Sequence, residues 1–442
     1  MSENTGKPQT EELSGALKEI PKWLRLDTAA TIYPGARKRN WNATYRMAIV
    51  LKEEIDPFLL QQAVDDIAPR IPSYFVQLRS GLFWYYFEHT ENTSIVEQED
   101  YYPCRPSKLF ELGKPLLRVL YYKRRIALEV FHSVGDGGAT FLVLKTLAAR
   151  YLELKGYTIE KTDEILNINE PPRQEELEDA FKKHYVKMKG LKRKEENAYQ
   201  YKKKIIPNYL NVIHGMIPVS DLKACAKDLN ITITDYLVAA FLYAHYLNAP
   251  KPCKKPIIIS VPVSMRPYFG SSTLRNFSLY TNFGIYPDKK ENFTFEDIIS
   301  EIAGKLKEGT TKEVLQKGIS INVKDATNPF VRLVPSILKR YAFRFIFYYM
   351  GEAKFTSPLT NLGIIKVPET MKKHMDRFEV ILGASPSVHL TCTAFSDGEM
   401  MSITFSSDYI ETDVQRDFFR FLSGRGARVR VECNREESWS KA

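Results

Sequence analysis

Residues 131–140 read FHSVGDGGAT, with three residues between His132 and Asp136 and a glycine pair, Gly137 and Gly138, directly after. An imidazole titrates at about 6.5 when unperturbed, so His132 can take a proton from a hydroxyl or a thiol at neutral pH. Gly135, Gly137 and Gly138 admit backbone conformations and close approaches that side chains forbid, and they clear room for a second substrate. Asp136 can cap a following helix or hold an arginine, fixing the shape of the loop. The plainer reading is a buried histidine closing a strand and an aspartate that only caps. The two readings differ in whether the imidazole faces a cleft.

The neighbouring segments position this turn. Ile126–His132 reads as a strand ending on the histidine, beside a second strand, Leu116–Tyr122. Thr140–Leu154 repeats apolar residues at three and four, a helix. Upstream, Tyr45–Lys52 is a strand, Asp56-Pro57 opens a helix to about Ala68, and Ser73–Leu78 and Leu82–Glu88 are strands. From Lys155 to Lys204 the rhythm is lost; the segment is charge-dense, with a helix expected near Gln174–Met188. Order resumes with strand Tyr209–Met216, helices Val219–Lys227 and Thr232–Leu247, and the continuously apolar strand Ile257–Val263. Strands Leu279–Tyr286, Leu359–Lys366, Val388–Ser396 and Met400–Phe405 follow, the last two joined by Asp397-Gly398, before a helix at Asp413–Leu422. This spacing predicts a flexible N-terminus (1–20), an α/β subdomain carrying the histidine (21–154), a basic crossover linker (155–204) and a second α/β subdomain (205–442).

With 442 residues, 44% hydrophobic and 26% charged, the chain is a folded protein of about two domains, neither disordered nor collagen-like. Lys182–Lys204 holds ten basic and two acidic residues of a chain whose net charge is +10. The other regions nearly balance, which disfavours a nucleic-acid footprint over one face. Five scattered cysteines, never in CxxC spacing, argue against a disulfide scaffold and a metal site and suit a reducing compartment. Residues 1–20 carry no apolar run, and no stretch is long enough to span a membrane, so a cytoplasmic location is expected. Phe330–Met350 is aromatic but interrupted by Arg332, Pro335, Lys339, Arg340 and Arg344. It reads as a basic amphipathic helix, buried between the halves or in at most peripheral contact with lipid. The dense Phe83–Phe87 (FWYYF) packs a core or lines a tunnel.

With its His-x-x-x-Asp-Gly turn after a strand, the sequence resembles the CoA-dependent acyltransferase superfamily, which includes chloramphenicol acetyltransferase, peptide-synthetase condensation domains and microbial alcohol acetyltransferases. The resemblance covers nearly the whole chain: DPFLLQQAVDDIAPRIPSYFVQLR, NVIHGMIPVSDLKACAKDLNITITDYLVAAFLYA, SVPVSMRPYFGSSTLRNF and TSPLTNLGIIKVPE are all similar to family segments. The branch it is most similar to is alcohol acetyltransferase-like; the plant branch's Asp-Phe-Gly-Trp-Gly is absent, with Asn282-Phe283-Gly284 and Asn361-Leu362-Gly363 as its nearest echoes. The resemblance implies two chloramphenicol acetyltransferase-like subdomains, each a mixed sheet flanked by helices, with the active-site channel between them. It implies a transferase moving an acetyl or other short acyl group from acyl-CoA, a co-substrate rather than a bound cofactor, to a small-molecule alcohol or amine. His132 is then the general base. Asp136 pairs with Arg266, beside the structural Gly137, and Thr360 and Asn361 are candidates for the oxyanion and substrate. A carrier-protein thioester as donor, or an inactive interaction protein of the same fold, are the alternatives. The basic run then reads as a solvated face or as a contact for CoA phosphates or an acidic carrier. One chain supplies both walls of the site, so a monomer is expected.

Overall fold

The computed structural model describes residues 22–435 except 39, 40, 42, 94–95, 107–112, 192–194 and 330–332. The expected flexible start (1–20) and part of the basic run (192–194) lie outside the described residues. Thr44–Leu51 (TYRMAIVL) is buried at every position, as a strand inside a two-sided core must be. Its one charge, Arg46, is buried with its counter-charges: Nε and Nη2 donate to Glu129 at 2.9 and 2.7 Å, and Nη1 to Glu99. This sheet has five strands, in the order Met375–Leu382, Thr44–Leu51, Arg125–Phe131, Leu117–Tyr122, Val96–Gln98; only the last pair is parallel. Helices Gly137–Leu154 and Pro57–Ile67 pack into the same core. The latter starts where Asp56 accepts from the Phe58 and Leu59 amides at 2.8 and 3.2 Å.

A second, seven-stranded mixed sheet runs Ser278–Ile285, Ile257–Ser264, Ser357–Ile364, Leu390–Ser396, Met400–Ser407, Asn211–Pro218, Arg430–Cys433. Ser357–Ile364 is parallel to both of its neighbours. Its register breaks between Asn361 and Ile364, where Gly363 adopts φ +71° and its amide donates to Asn361 Oδ1 at 2.9 Å. Such bulges re-aim side chains beside functional sites. The all-round apolar helix Ile233–Asn248 lies within this sheet's core, its start closed by a reciprocal Thr232–Asp235 capping box. A small third sheet joins Trp23–Arg25, Tyr85–His89 and Val76–Ser80.

Three features differ from expectation. Strand Met375–Leu382, from the chain's second half, completes the first half's sheet by pairing with Thr44–Leu51, so sheet membership does not follow the division at 155–204. Its charged residues hide it in sequence, yet they are paired: Arg377 Nη2 meets Glu379 at 2.9 Å and Arg125 Nη1 reaches Glu379 at 3.3 Å. The single helix expected near Gln174–Met188 is two short turns, Gln174–Leu177 and Ala180–Lys183. Glu178, in extended conformation, ends the first, and Asp179 caps the second, its carboxylate also accepting from the Thr28 amide and hydroxyl at 3.0 and 2.9 Å. Of Phe330–Met350, Ser336–Phe345 is a helix continued by a wider turn over Ile346–Gly351; Phe343, Ile346 and Phe347 are partly buried while Leu338, Tyr341, Phe345 and Tyr349 are exposed, so only part of its apolar surface is buried.

Candidate active site

Arg125–Phe131 delivers His132 to the end of the first sheet, where its amide donates to Ala43 O at 3.0 Å. The ring stacks on Tyr33 with centroids 4.7 Å apart and meets the edge of Tyr45 at 5.1 Å. The turn after it is tight: a Cβ on Gly135 would lie 2.9 Å from Leu274 O and closer still to Tyr74 Oη. Tyr45 and Tyr74 hydroxyls both bond Thr140 Oγ1, at 2.7 and 2.9 Å, fixing the start of the helix that follows.

Asp136 caps that helix, its Oδ1 accepting from Ala139 N at 3.2 Å. Its other oxygen collects three donors from the chain's second half: Arg266 Nη1 at 3.0 Å, Phe277 N at 2.8 Å and Ser278 Oγ at 3.0 Å. Burial alone would raise this carboxyl, but the Arg266 guanidinium and the donated amides hold it below the usual carboxylate range. Arg266 also grips the backbone of its own loop, donating to Thr273 O at 2.9 Å and Arg275 O at 2.6 Å. Asp136 and Arg266 thus clamp segment 266–278 against the histidine turn.

That clamp brings Asn276 to the imidazole. Asn276 Oδ1 lies 3.2 Å from His132 Nδ1, while its Nδ2 donates to Asp27 Oδ2 at 3.1 Å and Ser133 O at 3.4 Å. With its amide nitrogen committed to a carboxylate, Asn276 presents an oxygen to the ring; Nδ1 therefore carries the proton and Nε2 keeps its lone pair. Asp27 is fully buried, accepts from Ala30 N at 2.7 Å and lies 3.7 Å from Arg275 Nε. Burial, opposed by Arg275, pushes its carboxyl up to about 6. Burial also depresses His132, outweighing the pull of its own backbone carbonyl and of Asp136, so the imidazole is neutral at pH 7. Asp27, Tyr33 and Asn276 were not singled out in the sequence. Asn276 stands in the RNF of the same family-like segment as Arg266, but nothing in the sequence links it to a histidine 144 positions away.

His132 lines a cavity of about 1770 Å³ walled by both parts of the chain. Tyr33, Tyr45 and Met47 contribute from one side, and Ser278, Tyr280 and Thr360 from the other. Asn361 also lines it, but its Nδ2 donates to Thr234 Oγ1 at 2.9 Å and its Oδ1 is taken by Gly363 N. The bulged strand comes close to the histidine turn: a Cβ on Gly137 would stand 3.1 Å from Leu362 Cδ2 and 3.0 Å from Met47 Cε. A buried carboxyl, Glu352, which burial pushes up to about 7, lies on the same wall. Among the described residues no cluster of His, Cys, Asp or Glu is placed to hold a metal ion.

No family model and no curated protein matches the sequence. Solved structures do. TRI101 of F. graminearum, complexed with ethyl coenzyme A, superposes with TM-score 0.60 at 11% identity over 92% of this chain and 99% of that chain. Polyketide synthase associated protein 5 from Mycobacterium tuberculosis gives TM-score 0.56 at 14% identity over 90% and 97%. The first condensation domain of the CDA synthetase gives 0.50 at 12% identity over 96% and 95%.

Proposed function

From a chain with the two-subdomain fold of chloramphenicol acetyltransferase-like enzymes and condensation domains, we propose an acyltransferase that moves an acyl group from a CoA thioester to an alcohol or amine. The observation that carries this is His132 itself: a neutral imidazole with Nδ1–H committed to Asn276, on the wall of a cavity shared by both parts of the chain. Nε2 takes the proton of the acceptor hydroxyl as its oxygen attacks the thioester carbonyl carbon. The tetrahedral oxyanion then collapses, the C–S bond breaks, and the imidazolium returns its proton to the departing thiolate sulfur. Both substrates occupy the cavity together, so no acyl-enzyme is formed. Of the two oxyanion candidates, Asn361 has its amide engaged with Thr234 and Gly363, so we assign the donor role to the Thr360 hydroxyl and a supporting role to Asn361. Asp136 and Arg266 act as positioning residues through the loop that carries Asn276. Lys182 lines the cavity and exposed Lys183, Lys187 and Lys189 follow it, a setting suited to the phosphates of CoA or the acidic surface of a carrier protein.

The test is release of free thiol from acetyl-CoA and longer acyl-CoA donors against a panel of alcohols and amines, with an acyl-carrier thioester run in parallel. Thiol release that depends on the acceptor and on His132 supports the reading. Preference for the carrier thioester would move the protein to the condensation type. No turnover with any donor would leave a binding protein of this fold.

A further inference from the structure

The helix Ser336–Phe345 and the turn Ile346–Gly351 turn Phe343, Ile346 and Phe347 inward yet carry a second apolar stripe on their outer face. Polar groups point inward to backbone carbonyls: Ser336 Oγ to Gly81 O at 2.8 Å, Lys339 Nζ to Phe83 O at 2.6 Å, Arg344 Nη2 to Arg37 O at 2.8 Å and Tyr348 Oη to Ala36 O at 3.1 Å. The outward stripe is apolar: Leu338, Tyr341, Phe345 and Tyr349, spaced at three and four, are 58%, 60%, 57% and 64% exposed. An amphipathic helix of a soluble monomer turns that stripe to its core. Exposed Leu82 and Trp84 extend the stripe from the loop on which the helix N-terminus is seated. The rings of Phe345 and Tyr349 stack on each other in solvent, 5.0 Å apart.

Charge identifies what covers it. Residues 326–351 contain four basic residues and no acidic one. Arg37, half-buried at the helix flank, is held below its ordinary range by burial and then by the neighbouring Arg340 and Arg344 cations, so positive charge is crowded there. A second copy meeting this face through a two-fold axis would set those cations against each other. Tyr and Trp mixed with Leu and Phe, flanked by exposed Lys38 and half-buried Arg37, Arg340 and Arg344, is instead the composition of a surface that lies in the interface of an anionic bilayer. The same segment also reaches the site, since Phe343, Ile346, Phe347 and Met350 line the cavity that holds His132.

We propose that this face docks on an anionic membrane surface, and that an apolar acceptor or acyl chain passes from the lipid into the cavity without crossing water. The docking stands on the exposed stripe and its flanking cations; the delivery step rests on the acyl-transfer reading above.

The experiment is sedimentation of the full chain with phosphatidylcholine vesicles, with and without phosphatidylglycerol, in the absence of any substrate. The expected result is binding to the anionic vesicles roughly tenfold or more tighter than to neutral ones, weakened by high salt. A variant combining Leu338→Ser, Tyr341→Ser and Phe345→Ser, three exposed positions outside the cavity lining, loses that binding. It keeps the parent's turnover of a short water-soluble alcohol, but turnover of a long-chain alcohol presented in vesicles falls. Absence of vesicle binding, or equal binding by the variant, overturns the proposal. So does a concentration-dependent dimer that the same substitutions dissociate, because the stripe would then be an interface between copies. Vesicle binding by a protein that shows no acyl transfer would support the docking and remove only the delivery step.

Discussion

At the scale of the residue, the imidazole is set up by its neighbours rather than by its own position. Asn276, oriented by the buried Asp27, fixes the proton on Nδ1, and Tyr33 holds the ring plane. Replacing His132 with alanine should lower acyl transfer by on the order of a hundred- to ten-thousand-fold without unfolding the chain. Circular dichroism and thiol release measured on the same sample check this, and parent-like turnover would take His132 out of the mechanism. The pH dependence follows from burial. A histidine whose folded pKa lies below its ordinary 6.5 stays a base as pH falls past that value, so the acid limb of kcat/KM should have its midpoint below that of a free imidazole. A midpoint above it would contradict the depressed pKa. Asp27→Asn removes the carboxylate that orients the Asn276 amide. We expect kcat to drop by up to about a hundredfold at unchanged KM, with the acid limb displaced; a purely structural Asp27 would lower the yield of folded protein and leave the limb where it was. Asp136 and Arg266 should couple, because each orders the same loop. In a double-mutant cycle of Asp136→Asn and Arg266→Ala, strict additivity would separate them.

At the scale of the element, the histidine turn was legible in sequence because strand, glycines and helix stand side by side. Ile257–Val263 was legible because a strand buried on both faces is continuously apolar. Met375–Leu382 was not, since Asp376, Arg377 and Glu379 break its pattern and their partners become visible only when Arg125 is brought alongside. Asn276 and Asp27, 249 positions apart, meet only because the clamp at Asp136 folds segment 266–278 back over the turn. For Phe330–Met350 the sequence left burial and surface contact both open, because an amphipathic pattern does not say which face points inward; the helix has apolar residues on both, Phe343 and Phe347 toward the cavity and Leu338, Tyr341 and Phe345 outward. The turn itself can be tested. Gly135→Ala would press a methyl group against Leu274 O and Tyr74 Oη, an overpacking that costs about 1–3 kcal/mol. Tyr74 is one of the two anchors of Thr140, so the start of the catalytic-side helix should shift too. Lower thermal stability together with lower activity is the expected pair of readouts, and an unchanged melting temperature would show that the turn has room to spare.

At the scale of the whole molecule, the crossover is a structural tie and not only a solvated connection. Glu176 is buried on it and faces two ways. Its carboxylate receives both terminal nitrogens of buried Arg70, at 2.6 and 2.7 Å, from the first part of the chain. Its carbonyl receives Leu274 N at 2.9 Å from the loop that carries Asn276. The sequence could not show this, because a glutamate in a charge-dense segment reads as surface. Burying an ion pair gains little against a well-packed apolar pair, but removing one member strands the other, typically at about 3–5 kcal/mol. Glu176→Ala should therefore lower the denaturation midpoint well beyond the effect of an exposed substitution such as Glu175→Ala on the same turn. Arg70→Met with Glu176→Leu should recover much of the loss, since no charge is then left buried. Activity separates the two functions of the tie: the double variant restores stability, and if the carbonyl contact to Leu274 survives, it restores turnover as well. Recovery of stability with turnover still depressed would mean that the carboxylate, and not only the backbone, holds the Asn276 loop in register with His132. A Glu176→Ala protein as stable as the parent would mean that the crossover is held by its other contacts and that the buried pair is not a structural tie.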